Sequence, residues 1–416
     1  MSRIFSSAKK RWLFIWSIPT FPVLFLINFI LGLSMSFFIP FSSLFGLDEV
    51  GMTNTGFGIF MTILALGGVA ISSYIAKLSD TTFSRKKLLI ITAFTGIIGY
   101  SLFAFLRNYY ALSLTAFFVL GTTAAALPQL WAYARDALRE ANVPNEETPL
   151  IMNVFRMFFA LSWTVGPALA AWLLLMLGFK GLFLFVAGGY LLTFLSIVFL
   201  LKEVPKHTET SPESLSVKKW LVKPHIFGNL AAALLLSAAA SIHMLNVPQF
   251  VTKVLNGSEI DVGIIFSVPP IFEVPMMIAA GLLATKIDNG ILVRIGFFIA
   301  FVYFLLFSLV TEPWQIYPLQ ILSAAQVSIT AGIAISYFQD FIPEAPGTAT
   351  TLYMNTTQIG STVGYLFFGL LSEFISYGNL ILVYAFSAGA GFVFLAVLGK
   401  MKHEEGKDTG SQIHGG

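Results

Sequence analysis

Residues 202–224 read KEVPKHTETSPESLSVKKWLVKP. This is the longest polar break in the chain, and its Pro, Ser, Thr and charge content is that of a solvated linker. Outward from it, in both directions, the sequence is a series of apolar runs. On one side they fall at about 18–45, 54–77, 88–106, 109–134, 149–177 and 180–201. On the other they fall at about 226–251, 260–285, 289–311, 314–339, 347–375 and 379–400. Roughly 20 apolar residues cross a ~30 Å hydrocarbon core as a helix. The runs are continuously apolar, whereas strands of a membrane barrel alternate over about ten residues. The linker therefore divides an all-α membrane protein of twelve transmembrane helices into two pseudo-symmetric six-helix bundles.

Composition agrees. Of 416 residues, 56% are hydrophobic, 15% aromatic and only 11% charged, with 42 phenylalanines. A soluble domain carries about 25% charge. A net charge of +3 is too small to imply a nucleic-acid partner. With no cysteine, disulfide frameworks, Cys-ligated metals and Cys nucleophiles are excluded. The basic segment Lys9-Lys10-Arg11 precedes an apolar stretch too long for a cleaved signal core and without a small-residue cleavage site. The first span is therefore expected to be retained.

Lys and Arg set orientation. Twenty lie on the side that holds both ends of the chain and the 202–224 linker; Arg107, Lys180 and Lys253 lie on the other. This predicts a multi-pass protein of the bacterial inner membrane with both termini cytoplasmic. The expected organisation is a cytoplasmic tail over 1–17, bundles over 18–201 and 225–400, the linker between them, and a disordered cytoplasmic tail over 401–416.

The two halves read as weak repeats. AKLSD ending at Asp80 matches ATKID ending at Asp288, and YARD ending at Asp136 matches YFQD ending at Asp340. Met152-Asn153-x-x-Arg156 matches Met354-Asn355-x-x-Gln358. The three matches occur in order at a nearly constant spacing of about 200 residues. Two parallel six-helix halves follow the logic of an alternating-access transporter with a substrate site near the midplane.

Ionisable residues inside lipid are costly and are functional candidates by default. Glu273 lies near the middle of span 8 in VPPIFEVPMM, flanked by Pro269, Pro270 and Pro275. Arg156 lies about two turns inside span 5, and His243 is the one histidine within a span. Arg156 and Glu273 either neutralise each other and fix packing, or bind substrate and carry a proton. The prolines give either a static kink or a moving, cavity-lining helix. Asn28, Gln129, Asn246, Gln249, Gln326, Asn355 and Gln358 add uncharged polar groups that suit hydroxyl-rich ligands. Trp131 and Trp163 offer faces for sugar rings. Each of these residues alone reads more readily as an interhelical hydrogen bond or a lipid-facing aromatic than as a ligand contact. Together they predict a polar, nearly uncharged cavity.

The loop AKLSDTTFSRKK, residues 76–87, resembles the cytoplasmic signature between spans 2 and 3 of the major facilitator superfamily. In that resemblance Asp80 and Arg85, with Asp136 and Asp340 at matching helix ends, form a conformational latch. SWTVGPALAAW partly resembles the antiporter signature of the superfamily, with Ser162 and Ala170-Ala171 in place of glycines. The Arg-x-x-Gln-Gly pattern of drug antiporters is missing from span 4. The chain as a whole resembles the bacterial sugar efflux transporter family, through LPQLWAYARDAL (127–138), RMFFALSWTVGPALA (156–170), FEVPMMIAAG (272–281) and YFQDFIPEAPGTATTLYMN (337–355). The family's Arg, Trp and Gly-Pro fall on Arg156, Trp163 and Gly166-Pro167. Its Glu-x-Pro falls on Glu273 and Pro275, and its Gln-Asp on Gln339-Asp340. Before the proline of LNVPQF, where the family pattern carries an acid, this chain has Asn246. That argues against a second proton carrier in span 7.

The resemblance implies the major facilitator fold and export of sugars or glycosides, exchanged for protons. The partners are then a small sugar, protons and the lipid bilayer, with the protein acting as a monomer. No cofactor and no metal are expected. No nucleotide-binding Gly-rich Lys loop is present, so ATP-driven pumping is not expected. A lone embedded histidine without cysteine is a poor basis for an intramembrane enzyme. The rival readings are a proton-coupled multidrug exporter and a non-transport receptor or scaffold.

Overall fold

The computed structural model describes residues 14–18, 20–144, 146–205, 220 and 222–413, with the side chains of residues 80, 149 and 398–413 excepted. The 202–224 linker lies mostly outside the described residues. Every extended element described is helical. In chain order these are α1 (Phe21–Phe38), α2 (Asn54–Thr81), α3 (Arg85–Phe105) and α4 (Tyr109–Glu140). Helix Thr148–Leu200 follows as α5 (148–177) and α6 (179–200). Then come α7 (Pro224–Gln249), α8 (Glu259–Ala284), α9 (Asn289–Phe307), α10 (Pro313–Gln339), α11 (Pro346–Ser372) and α12 (Tyr377–Ile413).

Among the described residues, ten helical stretches are long and apolar enough to cross a membrane. One of the ten is the continuous stretch that Gly178 divides, with φ 63° and ψ −175°. That backbone region is essentially closed to residues with a side chain, so glycine here makes two spans from one run. The stretch missing from the ten is α11, which has the length at 27 residues but carries Asn355, Thr356, Thr357, Gln358, Ser361 and Thr362. These two facts reconcile ten apolar stretches with twelve helices. α12 runs on to Ile413, through the stretch expected as a disordered tail. The Met, Lys and Glu residues that begin that stretch are good helix formers, so the helix is extended rather than stopped.

Helix ends follow local chemistry. Ser84 caps α3, its Oγ accepting from Lys87 N at 3.3 Å. Asn108 caps α4, accepting from Ala111 N at 3.1 Å. Ser258 and Asp261 form a capping box at the start of α8. Asp288 caps α9, accepting from Gly290 N at 2.9 Å and Ile291 N at 3.2 Å. These bonds satisfy amides that the helix itself leaves open.

The chain forms two compact units, one of residues 1–52 with 60–210 and one of residues 53–59 with 211–416. In the first, α1 packs on α5 through small residues. Ser36 Oγ reaches Ser162 O at 3.4 Å, and a side chain at Gly32 or Gly166 would run into Ser162 or Ser36. Close approach through small residues is how helices associate where lipid removes the hydrophobic driving force. An aromatic cluster of Phe45, Phe103, Phe179 and Phe183 fills the opposite end. In the second unit, Gly360 and Gly364 let α11 lie against the backbone of α7 at Leu234 and Ala238. The start of α2 belongs to this unit. Asn54 Nδ2 donates to Ser372 O at 2.7 Å, the Tyr377 hydroxyl donates to Asn54 Oδ1 at 3.0 Å, and Gly58 faces Gly369.

Candidate functional site

In the first unit the polar residues fall into two groups. Asn28 is fully buried on α1; its Nδ2 donates to Phe155 O at 2.6 Å and its Oδ1 accepts from Trp131 Nε1 at 3.2 Å. Both ends of the amide are used in holding α4 and α5 to α1. Trp131, fixed in this way, presents its ring to Arg156, whose guanidinium carbon lies 5.3 Å from the ring centroid. Arg156 is exposed on α5, and among the described residues it has no ion pair. The cation therefore rests on an aromatic face, which attracts it electrostatically without neutralising it. Trp163, on the same helix, has its buried indole N–H without a partner among the described residues.

The second group joins α4 to α2 and α3. Gln129 Oε1 accepts from Ser79 Oγ at 2.8 Å. Ser79 Oγ accepts from Arg85 Nη1 at 3.2 Å, and Arg85 Nε pairs with Asp136 Oδ2 at 2.5 Å. Gln129, expected at the substrate, is thus bound into the network that links α2, α3 and α4. The side chain of Asp80 lies outside the described residues, and with it the part expected of it in the latch. Ser79, its neighbour, is the residue that sequence reasoning passed over.

The first unit also holds a cavity of about 360 Å³ with Phe38, Tyr100, Leu120, Pro128 and Tyr190 among its lining residues. Tyr100 and Tyr190 stack with centroids 5.5 Å apart. The lining is apolar and aromatic, which suits an apolar ligand group better than a charged one.

In the second unit Glu273 is half-buried on α8. Its backbone carbonyl accepts from Ser328 Oγ at 3.1 Å, and among the described residues its carboxylate has no partner. The three prolines stay within the run of α8, so they do not break the helix around the acid. Asn355 and Gln358 are exposed on α11. With Thr351 and Thr362 they fall at helical spacing on one face, the polar stripe that kept α11 out of the apolar set.

His243 does not face that stripe. Its Nδ1 lies 3.1 Å from the Tyr384 hydroxyl and its Nε2 3.0 Å from the Tyr303 hydroxyl, within rings of Phe304 and Phe307. Tyr303 in turn meets Gln320 at 3.3 Å. Both nitrogens are spent inside the bundle, so the histidine expected among the substrate-binding residues is a packing and hydrogen-bonding node. Tyr303, Tyr384 and Gln320 had no sequence signal beyond being polar in a span. Asn246 is also fully buried, donating to Tyr377 O at 2.9 Å.

The repeat has a structural counterpart at the helix ends. Where Arg85 pairs with Asp136 in the first half, Asn289 Nδ2 donates to Asp340 Oδ2 at 2.9 Å in the second. The same register sets Asp288 against Ser84, each capping its helix. The sequence match of Asp288 with Asp80 is therefore four residues out of the register that the caps and pairs define.

A family model described as Major Facilitator Superfamily matches residues 24–364. A Deinococcus radiodurans protein carrying a sugar efflux transporter name is 30% identical over 359 residues, covering 86% of this chain and 92% of that one. Sugar efflux transporter A of Dickeya chrysanthemi is 29% identical, covering 88% and 92%. Sugar efflux transporter C of Escherichia coli is 28% identical, covering 85% and 90%. Among solved structures, the nucleoside transporter NupG superposes with a TM-score of 0.74 at 15% identity, over 91% of this chain and 98% of that one. A bacterial homologue of the human lysosomal transporter Spinster superposes with a TM-score of 0.70 at 14% identity, over 90% and 94%. These two show the fold. The chain is a multi-pass membrane transporter rather than an enzyme, and it belongs to the sugar efflux transporter family of the major facilitator superfamily.

Proposed function

We propose that the chain exports sugars or glycosides across the bacterial inner membrane by alternating access, in exchange for protons, as a monomer with both termini cytoplasmic. Its two bundles are taken as 18–201 and 225–400. Arg156 and Trp163 of the first, and Glu273, Asn355 and Gln358 of the second, are the residues proposed to meet substrate. What supports the sugar is the 30% identity over most of the chain to a protein with a sugar efflux name. The observation that carries the mechanism is Glu273, an acid within a span whose carboxylate has no bonded partner among the described residues. Such a group is costly to keep in a membrane unless function uses it.

The test is transport in proteoliposomes with a panel of neutral sugars and glycosides, with and without a pH gradient. Glu273→Gln keeps the shape of the protonated acid. It is expected to retain sugar-for-sugar exchange and lose accumulation driven by the gradient. Gradient-driven transport with normal affinity in that variant would leave Glu273 as a packing charge. A tag at residue 212 that is labelled from outside intact cells would overturn the orientation.

One observation favours a second reading, a proton-coupled multidrug exporter: the aromatic cavity of about 360 Å³ in the first unit. Gradient-driven export of ethidium with no sugar transported would select it.

A further inference from the structure

We propose that the second unit holds a binding site of its own for a single neutral sugar ring, formed around Gln326 and Ser237. The inference deepens the sugar-export reading and rests on it. It concerns a cavity of about 150 Å³ within this unit. That is about ten times the ~10–15 Å³ that one water requires, which is room for one six-membered ring with its hydroxyls.

Five helices build the lining: α7 with Asn229 and Ser237, α9 with Phe297, α10 with Gln326 and Tyr337, α11 with Tyr353 and α12 with Leu395. Most of the polar groups there are already paired. The Tyr337 hydroxyl donates to Asn229 Oδ1 at 2.6 Å, and the Tyr353 hydroxyl donates to Thr330 O at 2.9 Å. The Gln326 carboxamide and the Ser237 hydroxyl remain, and among the described residues neither has a partner. Gln326 is 8% exposed. The amide opens onto the cavity with its donors and acceptor unused, so a polar occupant would complete its hydrogen bonding.

The chemistry of the lining selects the occupant. An amide offers donors and an acceptor side by side, which matches two neighbouring hydroxyls. Ser237 supplies a third polar contact from the facing helix. Phe297 gives an aromatic surface for the C–H face of a ring. Among the described residues no Asp, Glu, Lys, Arg or His lines the cavity, so a carboxylate or an ammonium would enter without a counter-charge from them and be rejected. Vicinal hydroxyls on a ring of this size, without charge, describe a neutral pyranose or the terminal ring of a glycoside.

The natural absence of cysteine provides a direct test on the full chain in detergent. Ser237→Cys places one thiol on the cavity wall with little change of volume. Glucose and galactose are expected to slow its reaction with a small maleimide at least about fivefold, and glucuronate and glucosamine are expected not to. In parallel, equilibrium dialysis measures labelled glucose or galactose. Gln326→Leu is expected to weaken binding at least about tenfold, and Gln326→Asn less. Full binding by Gln326→Leu, together with no protection of the thiol, overturns this site and leaves sugar export standing. Binding of neither sugar by the wild type overturns the site, and only the further failure to transport any sugar or glycoside of the panel overturns the export reading. Protection by all four compounds alike points to a conformational effect and also overturns the site, as does a cavity that takes only water.

Discussion

Arg85 Nε stands 2.5 Å from Asp136 Oδ2, and both side chains are largely buried, at 15% and 5% exposure. At the matching place in the second half the same helix ends are joined by Asn289 and Asp340, a pair with only one formal charge. The two halves thus keep one geometry with different electrostatics. Removing one member of a buried ion pair strands the other charge, whereas a neutral donor loses little.

Asp136→Ala is therefore expected to cost about 2–4 kcal/mol, because among the described residues Arg85 keeps only Ser79 as a partner. Asp340→Ala, in an exposed position, should cost about 0.5–1 kcal/mol. Thermal unfolding followed by tryptophan fluorescence in detergent compares the two. Equal losses would show that the ion pair is no more important than its neutral counterpart.

The α1–α5 contact makes a second prediction. A side chain at Gly166 would run into Ser36, its Cβ falling 2.9 Å from Ser36 Cβ. Gly166→Ala is expected to destabilise the first unit by about 1–3 kcal/mol. Adding Ser36→Ala removes the hydroxyl that meets the new methyl and should recover part of the loss. A double variant whose deficit equals the sum of the single deficits would show that the two residues do not couple.

A third concerns His243. Since Tyr303 and Tyr384 occupy both ring nitrogens, His243→Ala takes a partner from each of two buried hydroxyls, of which Tyr303 keeps Gln320. The expected loss of stability is about 2–4 kcal/mol, with sugar affinity unchanged in the protein that remains folded. A drop in affinity at unchanged melting temperature would instead place His243 at the substrate.

The site residues were legible unevenly. Glu273 and Arg156 stand out in sequence because charge in an apolar run is rare, and the structure leaves both without an ion pair among the described residues. Asn355 and Gln358, expected at the substrate, lie exposed on one face of α11. Asn28 and Gln129 looked the same in sequence. The difference is what lies across the helix: a Trp131 indole and the Phe155 carbonyl for one, Ser79 for the other. An amide in a span has the same composition whether it faces a ligand or a neighbouring helix.

What the sequence by itself determined was the class of the molecule. The length of apolar runs, the polar break at 202–224 and the spacing of the repeats are local or periodic, and the cost of exposing backbone polar groups to lipid leaves helices as the solution for such runs. Only the tertiary structure decided the register of the repeat, which moved Asp288 from the side of Asp80 to that of Ser84. It alone separated the amides and the histidine that are spent in packing from the few polar groups left open. Hydrogen bonds act over about 3 Å, and which groups come that close is fixed by how helices far apart in sequence pack together.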